Sequence, residues 1–168
     1  MKRLETERLI LRKWEFDDAE QAYTNWATDE EVHKYVSWPI HKDVNETKDL
    51  LNIWIKEYEN NSYNWVVEIK DTHEIIGNIA VGKVNKKQNT CDLGYCYGSR
   101  FWGKGYGKKL FEAGIQELKN MGYDKMVIGC LDGNPSNEFY KHMGGKIIKT
   151  RIFEKLQLPE NVYYFEKI

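Results

Sequence analysis

A glycine-rich segment between a strand-like run and an amphipathic stretch is the feature that most constrains this chain. Glycines alternate with other residues in Trp102-Gly103-Lys104-Gly105-Tyr106-Gly107-Lys108-Lys109, and the strand-like run at residues 91–97 precedes them. Glycine permits tight turns and leaves no side chain to obstruct an approaching oxyanion. The first N–H groups of a helix lack intrahelical partners and carry partial positive charge. Strand, glycine turn and helix in this order predict a cradle for a phosphorylated cofactor.

Two well-known phosphate loops fit this segment only in part. The dinucleotide pattern Gly-x-Gly-x-x-Gly starts at Gly103 but meets Lys108 where its third glycine is required. The P-loop pattern Gly-x4-Gly-Lys fits residues 98–104, but Gly105 replaces the Ser or Thr whose hydroxyl binds magnesium. A tight turn without a ligand is the third alternative. The glycines alone leave these alternatives open.

Length and composition limit the other possibilities. The 168 residues, 41% hydrophobic and 30% charged, are typical of one globular domain with a real core. The 25 Lys and Arg against 26 Asp and Glu give a net charge of -1, which argues against a nucleic-acid binder. The sequence has no apolar run long enough to span a membrane, and residues 1–5 lack the apolar core of a secretory signal. We therefore expect a cytoplasmic protein without nucleic-acid or membrane partners.

Cysteines and histidines form no metal-binding pattern. The three cysteines, Cys91, Cys96 and Cys130, are scattered within apolar runs. We expect them to be buried free thiols in a reducing compartment. The four histidines are not spaced as metal ligands and are expected on the surface or in loops; they are His33, His41, His73 and His142. No metal is predicted.

Hydrophobic periodicity predicts the order β-α-α-β-β-β-α-β-α-β-β. Capping pairs mark two helix starts, Asp17 with Glu20 and Asp43 with Glu46, and a short helical turn is expected at residues 29–35. A third helix starts near Gly105 and ends before Gly122. The predicted strands are residues 9–14, 64–70, 75–84, 91–97, 125–131, 146–153 and 162–167. Asn134 and Pro135 predict the start of a short helix.

Several segments, in order, resemble the GNAT superfamily of N-acetyltransferases. Residues 102–107 fill the pattern (Arg/Gln/Trp)-x-x-Gly-x-(Gly/Ala), which in that superfamily opens the helix around the coenzyme A pyrophosphate. Residues 5–12 and 92–95 resemble the opening and central strands of its ribosomal-protein N-terminal (RimJ/RimL-type) acetyltransferase group. Residues 134–145 resemble the superfamily's second cofactor segment. The resemblance covers nearly the whole chain.

The resemblance implies both a fold and a reaction. The fold is α/β (α+β), a central mixed, mostly antiparallel sheet with helices on both faces, in a single domain over residues 1–168. The reaction moves an acetyl group from acetyl-CoA directly to a primary amine, without a metal. The amine belongs to a protein N-terminus or to a small molecule, and the sequence leaves this choice and the acyl group open. Relatives are often homodimers, which is one option here.

The resemblance also implies the cofactor contacts. The backbone of residues 103–108 would hold the diphosphate. The edge of strand 91–97 would pair with the pantetheine arm, and one of its N–H groups would face the thioester oxygen. Asn134 resembles the asparagine that holds the pantetheine, and Ser136 or Asn137 could replace the serine that follows it in the group. The expected cofactor contacts are Tyr95, Cys96, Tyr97, Trp102, Gly103, Lys104, Gly105, Tyr106, Gly107, Lys108, Asn134 and Asn137.

Three residues are predicted to carry the chemistry. Tyr140 resembles the superfamily's general acid, and a phenol with a pKa of about 10 can protonate a departing thiolate. Ser136 is the second candidate donor. Asp92 is the candidate base, with Glu68 as its alternative. A non-catalytic acetyl-CoA-binding module and a P-loop-like nucleotide hydrolase are the competing functions. The acceptor is expected near aromatic residues of the first half, Trp26, Tyr35, Trp38, Trp54 and Tyr58.

Overall fold

The computed structural model describes the backbone of all 168 residues and every side chain except that of Lys83. The strands are β1 (Leu4–Glu5), β2 (Leu9–Arg12), β3 (Asn64–Ile69), β4 (Ile75–Asn85), β5 (Thr90–Tyr97), β6 (Lys125–Leu131), β7 (Lys146–Phe153) and β8 (Leu158–Phe165). The α-helices are α1 (Ala19–Ala22), α2 (Glu30–His33), α3 (Val44–Glu57), α4 (Tyr106–Asn120) and α5 (Ser136–His142). No helix within the described part of the chain is long and apolar enough to cross a bilayer.

The strands form an eight-stranded sheet in the order β1-β2-β3-β4-β5-β6-β8-β7. Strands β5 and β6 run parallel, whereas the pairs β1–β2, β2–β3, β3–β4, β6–β8 and β7–β8 are antiparallel. The parallel register ends at the pair Asp92 and Val127, although β5 continues to Tyr97. This mixed, mostly antiparallel sheet confirms the predicted fold class.

Contacts group the residues into two compact units. Unit 1 comprises Met1–Val81 and Gly94–Gly114, and unit 2 comprises Gly82–Leu93 and Ile115–Ile168. In unit 1, helices cover both faces of β5. Cys96 packs against the cluster that contains Trp26 and Leu51, while Tyr95 meets the ring of Phe111 in α4 edge-on. Because successive side chains of a strand point to opposite faces, helices lie on both faces there, as predicted.

The helix starts show where local sequence rules succeed and where tertiary contacts override them. Asp43 caps α3 as predicted, because its Oδ1 accepts hydrogen bonds from the N–H groups of Asn45 and Glu46 at 2.7 and 3.3 Å. The predicted Asp17 cap of the first helix is wrong. Asp18 instead accepts from the N–H of Glu15 at 2.8 Å, and a 3-10 turn at Phe16–Asp18 precedes α1.

Arg12 explains this shift. Its two terminal guanidinium nitrogens each lie 2.8 Å from an oxygen of the buried Asp18 carboxylate. A paired buried carboxylate cannot move without leaving its partner unsatisfied. This contact with β2 therefore places the capped start at Glu15, two residues earlier than the predicted Asp17. The chain then continues through α1 into a π-helix at Tyr23–Ala27, which the periodicity did not predict.

Candidate active site

The glycine segment of unit 1 forms a left-handed turn just before α4. Gly103 and Gly105 have φ angles of +70° and +83°, and Tyr106 is the first residue of the helix. Residues with a Cβ disfavour these angles, so the two glycines are required by the turn itself. The predicted order of strand, glycine turn and helix is confirmed.

The turn contains N–H groups that are not paired with backbone carbonyls in the described part of the chain. Among the described residues, no backbone carbonyl accepts a hydrogen bond from the N–H of Gly103, Lys104, Gly105 or Tyr106. The next helical N–H groups behave differently, since that of Lys109 donates to the carbonyl of Gly105 at 3.5 Å. A run of unpaired N–H groups at a helix N-terminus suits a phosphate oxygen. The geometry therefore fits a diphosphate.

Contacts with Tyr97, the last residue of β5, hold this turn in place. The indole Nε1 of Trp102 donates to the carbonyl of Tyr97 at 2.9 Å. The Tyr97 hydroxyl lies so close to Gly107 that a Cβ there would be 2.7 Å from it. Burial raises the pKa of Tyr97, although a hydrogen bond from the Gly107 N–H opposes this effect. The Gly107 N–H thus faces a phenol, and a larger residue at position 107 would require the Tyr97 side chain to move.

The lysines of the turn stay at the surface. Lys104 Nζ lies 5.6 Å from the centroid of the Phe101 ring, and Lys108 Nζ lies 3.9 Å from a Glu112 oxygen. An exposed pair of this length contributes little to stability. These cations therefore remain able to attract an anion.

The sequence prediction missed Arg8. Its Nη1 donates to the carbonyl of Lys104 at 2.8 Å, and its Cζ lies 4.2 Å from the centroid of the Tyr106 ring. Arg8 belongs to the segment 5–12, whose sequence resembles the opening strand of the family but does not indicate a contact with the loop. Its contact spans 96 positions of sequence, so no local pattern could have revealed it.

The end of β5 presents different chemistry on its two faces. Tyr95 and Tyr97 stack with ring centroids 6.5 Å apart on the face of α4. Cys96 lies on the other face, and burial raises the pKa of its thiol to about 12. A thiol with this pKa stays protonated at neutral pH and is a poor nucleophile. The strand is therefore suited to bind through its backbone.

In unit 2, Tyr140 lies in the core. It is 6% exposed, and its ring centroid is 5.5 Å from that of Tyr163 in β8. Its backbone carbonyl accepts from the N–H of Gly145 at 2.9 Å, which closes the turn after α5. The helix and its turn thus fix the tyrosine backbone.

The two asparagines predicted to bind cofactor build the fold of unit 2. Asn134 Oδ1 accepts from the Ser136 N–H at 2.8 Å, but α5 begins at Ser136 with Pro135 at its N-cap, one residue later than predicted. Asn137 is buried; its Nδ2 donates to the carbonyls of Leu131 and Asn134 at 2.8 and 2.9 Å. Its Oδ1 accepts from Asn161 Nδ2 and Tyr163 Oη. The polar atoms of the Asn137 side chain are therefore occupied inside the fold.

The candidate acid and base lie on opposite faces of the sheet in unit 2. Asp92 pairs with Val127, which pairs with Tyr164, and paired residues share a face. Tyr140 packs on Tyr163, whose side chain points to the other face. The two side chains therefore lie on different faces of the sheet and do not exchange a proton directly.

Glu68, the alternative base, belongs to an ion-pair network in unit 1. Its two carboxylate oxygens lie 2.7 Å from Arg12 Nε and 2.7 Å from His73 Nδ1. Burial raises its pKa, but the hydrogen bonds from His73 and Arg12 outweigh burial and lower it. A carboxylate held in this way is a weak proton acceptor. Asp92 remains the better candidate base.

The aromatic residues of the first half mostly build the core of unit 1. Trp26 is 1% exposed and stacks on Trp54, with ring centroids 6.3 Å apart, while Trp38 meets it at 83°. Within the described residues, Trp26 Nε1 is a buried donor without an acceptor. His41, in a loop, is buried and bonded to Thr47 at 2.7 Å; burial lowers its pKa. The structure thus favours packing as the main role of these rings.

Asp29 does not form an open site for an ammonium group. One carboxylate oxygen caps α2, and the other accepts from the Ser99 N–H at 2.7 Å. Burial raises its pKa, but these hydrogen bonds outweigh burial and lower it. Asp29 therefore joins the start of α2 to the segment after β5 within unit 1.

Cysteine and histidine placement gives no metal centre in the described part of the chain. No group of three His, Cys, Asp or Glu side chains there could hold a metal ion. Cys91 and Cys130 are buried and Cys96 is half-buried, and all three are free thiols.

Comparison with known proteins agrees with this geometry. The family model described as Acetyltransferase (GNAT) domain matches residues 8–146. The chain is 28% identical over 156 residues to "Uncharacterized N-acetyltransferase p20" of Bacillus licheniformis, covering 92% of this chain and 84% of that protein.

Solved structures show the same fold at low identity. The ribosomal-protein-S5-alanine acetyltransferase of Vibrio fischeri superposes with a TM-score of 0.77 at 16% identity, covering 98% of this chain and 96% of the other. The microcin C7 self immunity acetyltransferase MccE, solved with acetyl-CoA and AMP, gives 0.81 at 20% identity, covering 97% and 94%. The family match decides against the nucleotide hydrolase. The chain belongs to the GNAT acetyltransferase family and is an acetyl-CoA-dependent acyltransferase.

Proposed function

We propose that this protein transfers the acetyl group of acetyl-CoA to a primary amine, of a protein N-terminus or of a small molecule. The run of unpaired N–H groups from Gly103 to Tyr106 carries the proposal. These groups fit a diphosphate at the start of a fifteen-residue helix, α4. Likeness to ribosomal-protein acetyltransferases supports the protein N-terminal acceptor.

The proposed roles divide between binding and chemistry. Acetyl-CoA supplies an activated acyl group as a thioester. The backbone of residues 103–106 holds its diphosphate. The edge of β5 after Asp92, where the parallel register with β6 has ended, offers N–H groups to the pantetheine amides and to the acyl oxygen. Such donors stabilise negative charge that develops on that oxygen.

Proton transfer needs two further groups. Asp92 takes the proton from the attacking amine, directly or through a water, and Tyr140 gives a proton to the departing sulfur. Ser136 is the alternative donor. The chain acts as one domain over residues 1–168 in this proposal.

Release of free CoA tests the proposal directly. The protein is incubated with acetyl-CoA and a panel of peptides with free N-termini, amino sugars and polyamines, and the new thiol is measured. We expect release only with acceptors that carry a free primary amine, and none with N-blocked peptides of the same sequence. Release that is independent of the amine would contradict transfer.

A further inference from the structure

We propose that Arg8 is a positioning residue for the cofactor loop. Its guanidinium holds the peptide between Lys104 and Gly105 in the orientation that turns the Gly105 N–H toward a diphosphate. The inference rests on the proposed function, because it requires the loop to bind that group. It gives a physical role to the segment 5–12, which the reaction itself does not use.

Two contacts of different kinds fix the guanidinium. Nη1 donates to the Lys104 carbonyl at 2.8 Å, and Cζ lies 4.2 Å from the centroid of the Tyr106 ring. Tyr106 is 7% exposed and starts α4, so the ring is a firm platform. A planar guanidinium can stack on a ring while its edge donates hydrogen bonds, which an ammonium cannot do. The two contacts lie on either side of Gly105.

The Lys104 carbonyl decides where the Gly105 N–H points. The two groups belong to one planar trans peptide, so they point in opposite directions. While Arg8 binds the carbonyl, the Gly105 N–H faces away from Arg8, and no backbone carbonyl of the described chain accepts from it. This N–H is therefore available to a ligand.

Glycine makes this orientation easy to lose. Gly105 has φ +83°, and glycine changes between backbone conformations more readily than any other residue type. Rotation of the peptide would place the Lys104 carbonyl oxygen where an anion must bind, and the two negative groups would repel. The hydrogen bond from Arg8 opposes that rotation before the cofactor arrives, which reduces the ordering cost of binding.

The charge of Arg8 acts in the same direction. Among the described residues, no carboxylate forms an ion pair with Arg8, whereas the nearby Arg3 pairs with Glu5 at 3.0 Å. The Arg8 side chain is exposed, so its charge is screened by solvent. Hydrogen bonding to Lys104 rather than long-range attraction is therefore the main contribution.

The test compares Arg8→Met and Arg8→Lys with the control Arg3→Met, using acetyl-CoA and acetyl-pantetheine, which lacks the diphosphate. Arg8→Met should raise the Kd and KM for acetyl-CoA about tenfold, equivalent to about 1.4 kcal/mol, and leave kcat within about twofold. Arg8→Lys should recover only part of the affinity. Both variants should use acetyl-pantetheine like the wild type, and Arg3→Met should match the wild type throughout.

Three results would overturn the inference. The first is unchanged acetyl-CoA affinity in Arg8→Met. The second is an equal loss with acetyl-pantetheine, which would give Arg8 a general role in the fold. The third is full recovery by lysine, because an ammonium can donate to the carbonyl but cannot also stack on Tyr106, so the proposed pair of contacts would not be needed. If the wild type itself does not bind acetyl-CoA, the proposed function fails first, and the two failures are distinguishable.

Discussion

The glycine loop of unit 1 and the α5 segment of unit 2 both carry polar groups expected to meet the cofactor, but they use these groups differently. In the loop, N–H groups from Gly103 to Tyr106 lack backbone acceptors among the described residues. In the α5 segment, the side-chain Nδ2 and Oδ1 of Asn137 both form hydrogen bonds within the fold. In the proposed function the loop N–H groups bind the cofactor, whereas the polar side-chain atoms of Asn137 are already bonded within the fold. Substitutions in the loop should therefore lower acetyl-CoA affinity, whereas substitutions in the α5 segment should lower kcat.

Replacement of Gly105 by glutamate should produce the largest loss. A Cβ at φ +83° strains the turn, and the carboxylate repels the diphosphate, so acetyl-CoA affinity should fall at least about 100-fold. Calorimetry measures this affinity. Gly122→Glu is the matched control, because Gly122 has φ +88° but follows the other end of α4. Equal affinity losses in both variants would show that backbone strain, and not the loop, is responsible.

Tyr140→Phe should affect chemistry and leave binding intact. Removal of the proton donor should lower kcat about 100-fold. Acetyl-CoA affinity should stay within about twofold, because the loop amides are unchanged. Tyr163→Phe is the control, since it removes the hydroxyl that donates to Asn137 at 2.9 Å and should cost about 1 kcal/mol of stability. A wild-type kcat in Tyr140→Phe would show that Tyr140 has only a packing role. Ser136 would then be the remaining candidate proton donor.

Asp92→Asn should lower kcat by a smaller factor, about tenfold near neutral pH. The loss should shrink as pH rises, because more of the acceptor amine is already neutral. Glu68→Gln, at the alternative base, should keep kcat within about twofold, since both Glu68 oxygens are held by Arg12 and His73. Steady-state rates across pH decide between them. A larger kcat loss in Glu68→Gln than in Asp92→Asn would identify Glu68 as the general base.

Glu68 should instead influence stability at low pH. Its pKa lies below the ordinary value of 4.5 in the folded protein, so its stabilising effect is complete above pH 4.5 and is lost as pH falls through the folded-state value. Glu68→Gln should lower the free energy of unfolding by about 1–3 kcal/mol at pH 7 and by less in acid. Urea unfolding at pH 7 and below pH 4.5 measures the difference. A constant difference would contradict the ion-pair account.

Local sequence signals predicted most of the fold and the glycine turn before α4. The bounds of β6 and β7 agree residue for residue, because apolar and turn residues mark their ends clearly. The glycine pattern predicted the turn before α4 because positive φ angles leave few alternatives. The last strand was placed too late, at residues 162–167, since exposed Leu158 and Pro159 in β8 give no apolar alternation.

Contacts of individual side chains escaped prediction, whether the partners are six positions apart, as Arg12 and Asp18 are, or 96, as Arg8 and Lys104 are. The position of the cap at Asp18 is set by its hydrogen bonds with Arg12. The orientation of the Lys104 carbonyl is set by a hydrogen bond from Arg8, 96 positions away in the sequence. The β1 strand has only two residues, too few for a periodic signal. The proposed roles of Tyr140 and Asp92 came from family resemblance, because proton transfer depends on distances that a linear pattern does not contain.

The most direct test of the central claim follows the backbone amides of the loop. Amide resonances and hydrogen exchange are recorded with and without acetyl-CoA. We predict shifted resonances and slower exchange at Gly103, Lys104, Gly105 and Tyr106, with little change at Gly122. Unchanged amides at these four positions under saturating acetyl-CoA would contradict the claim that they hold the diphosphate.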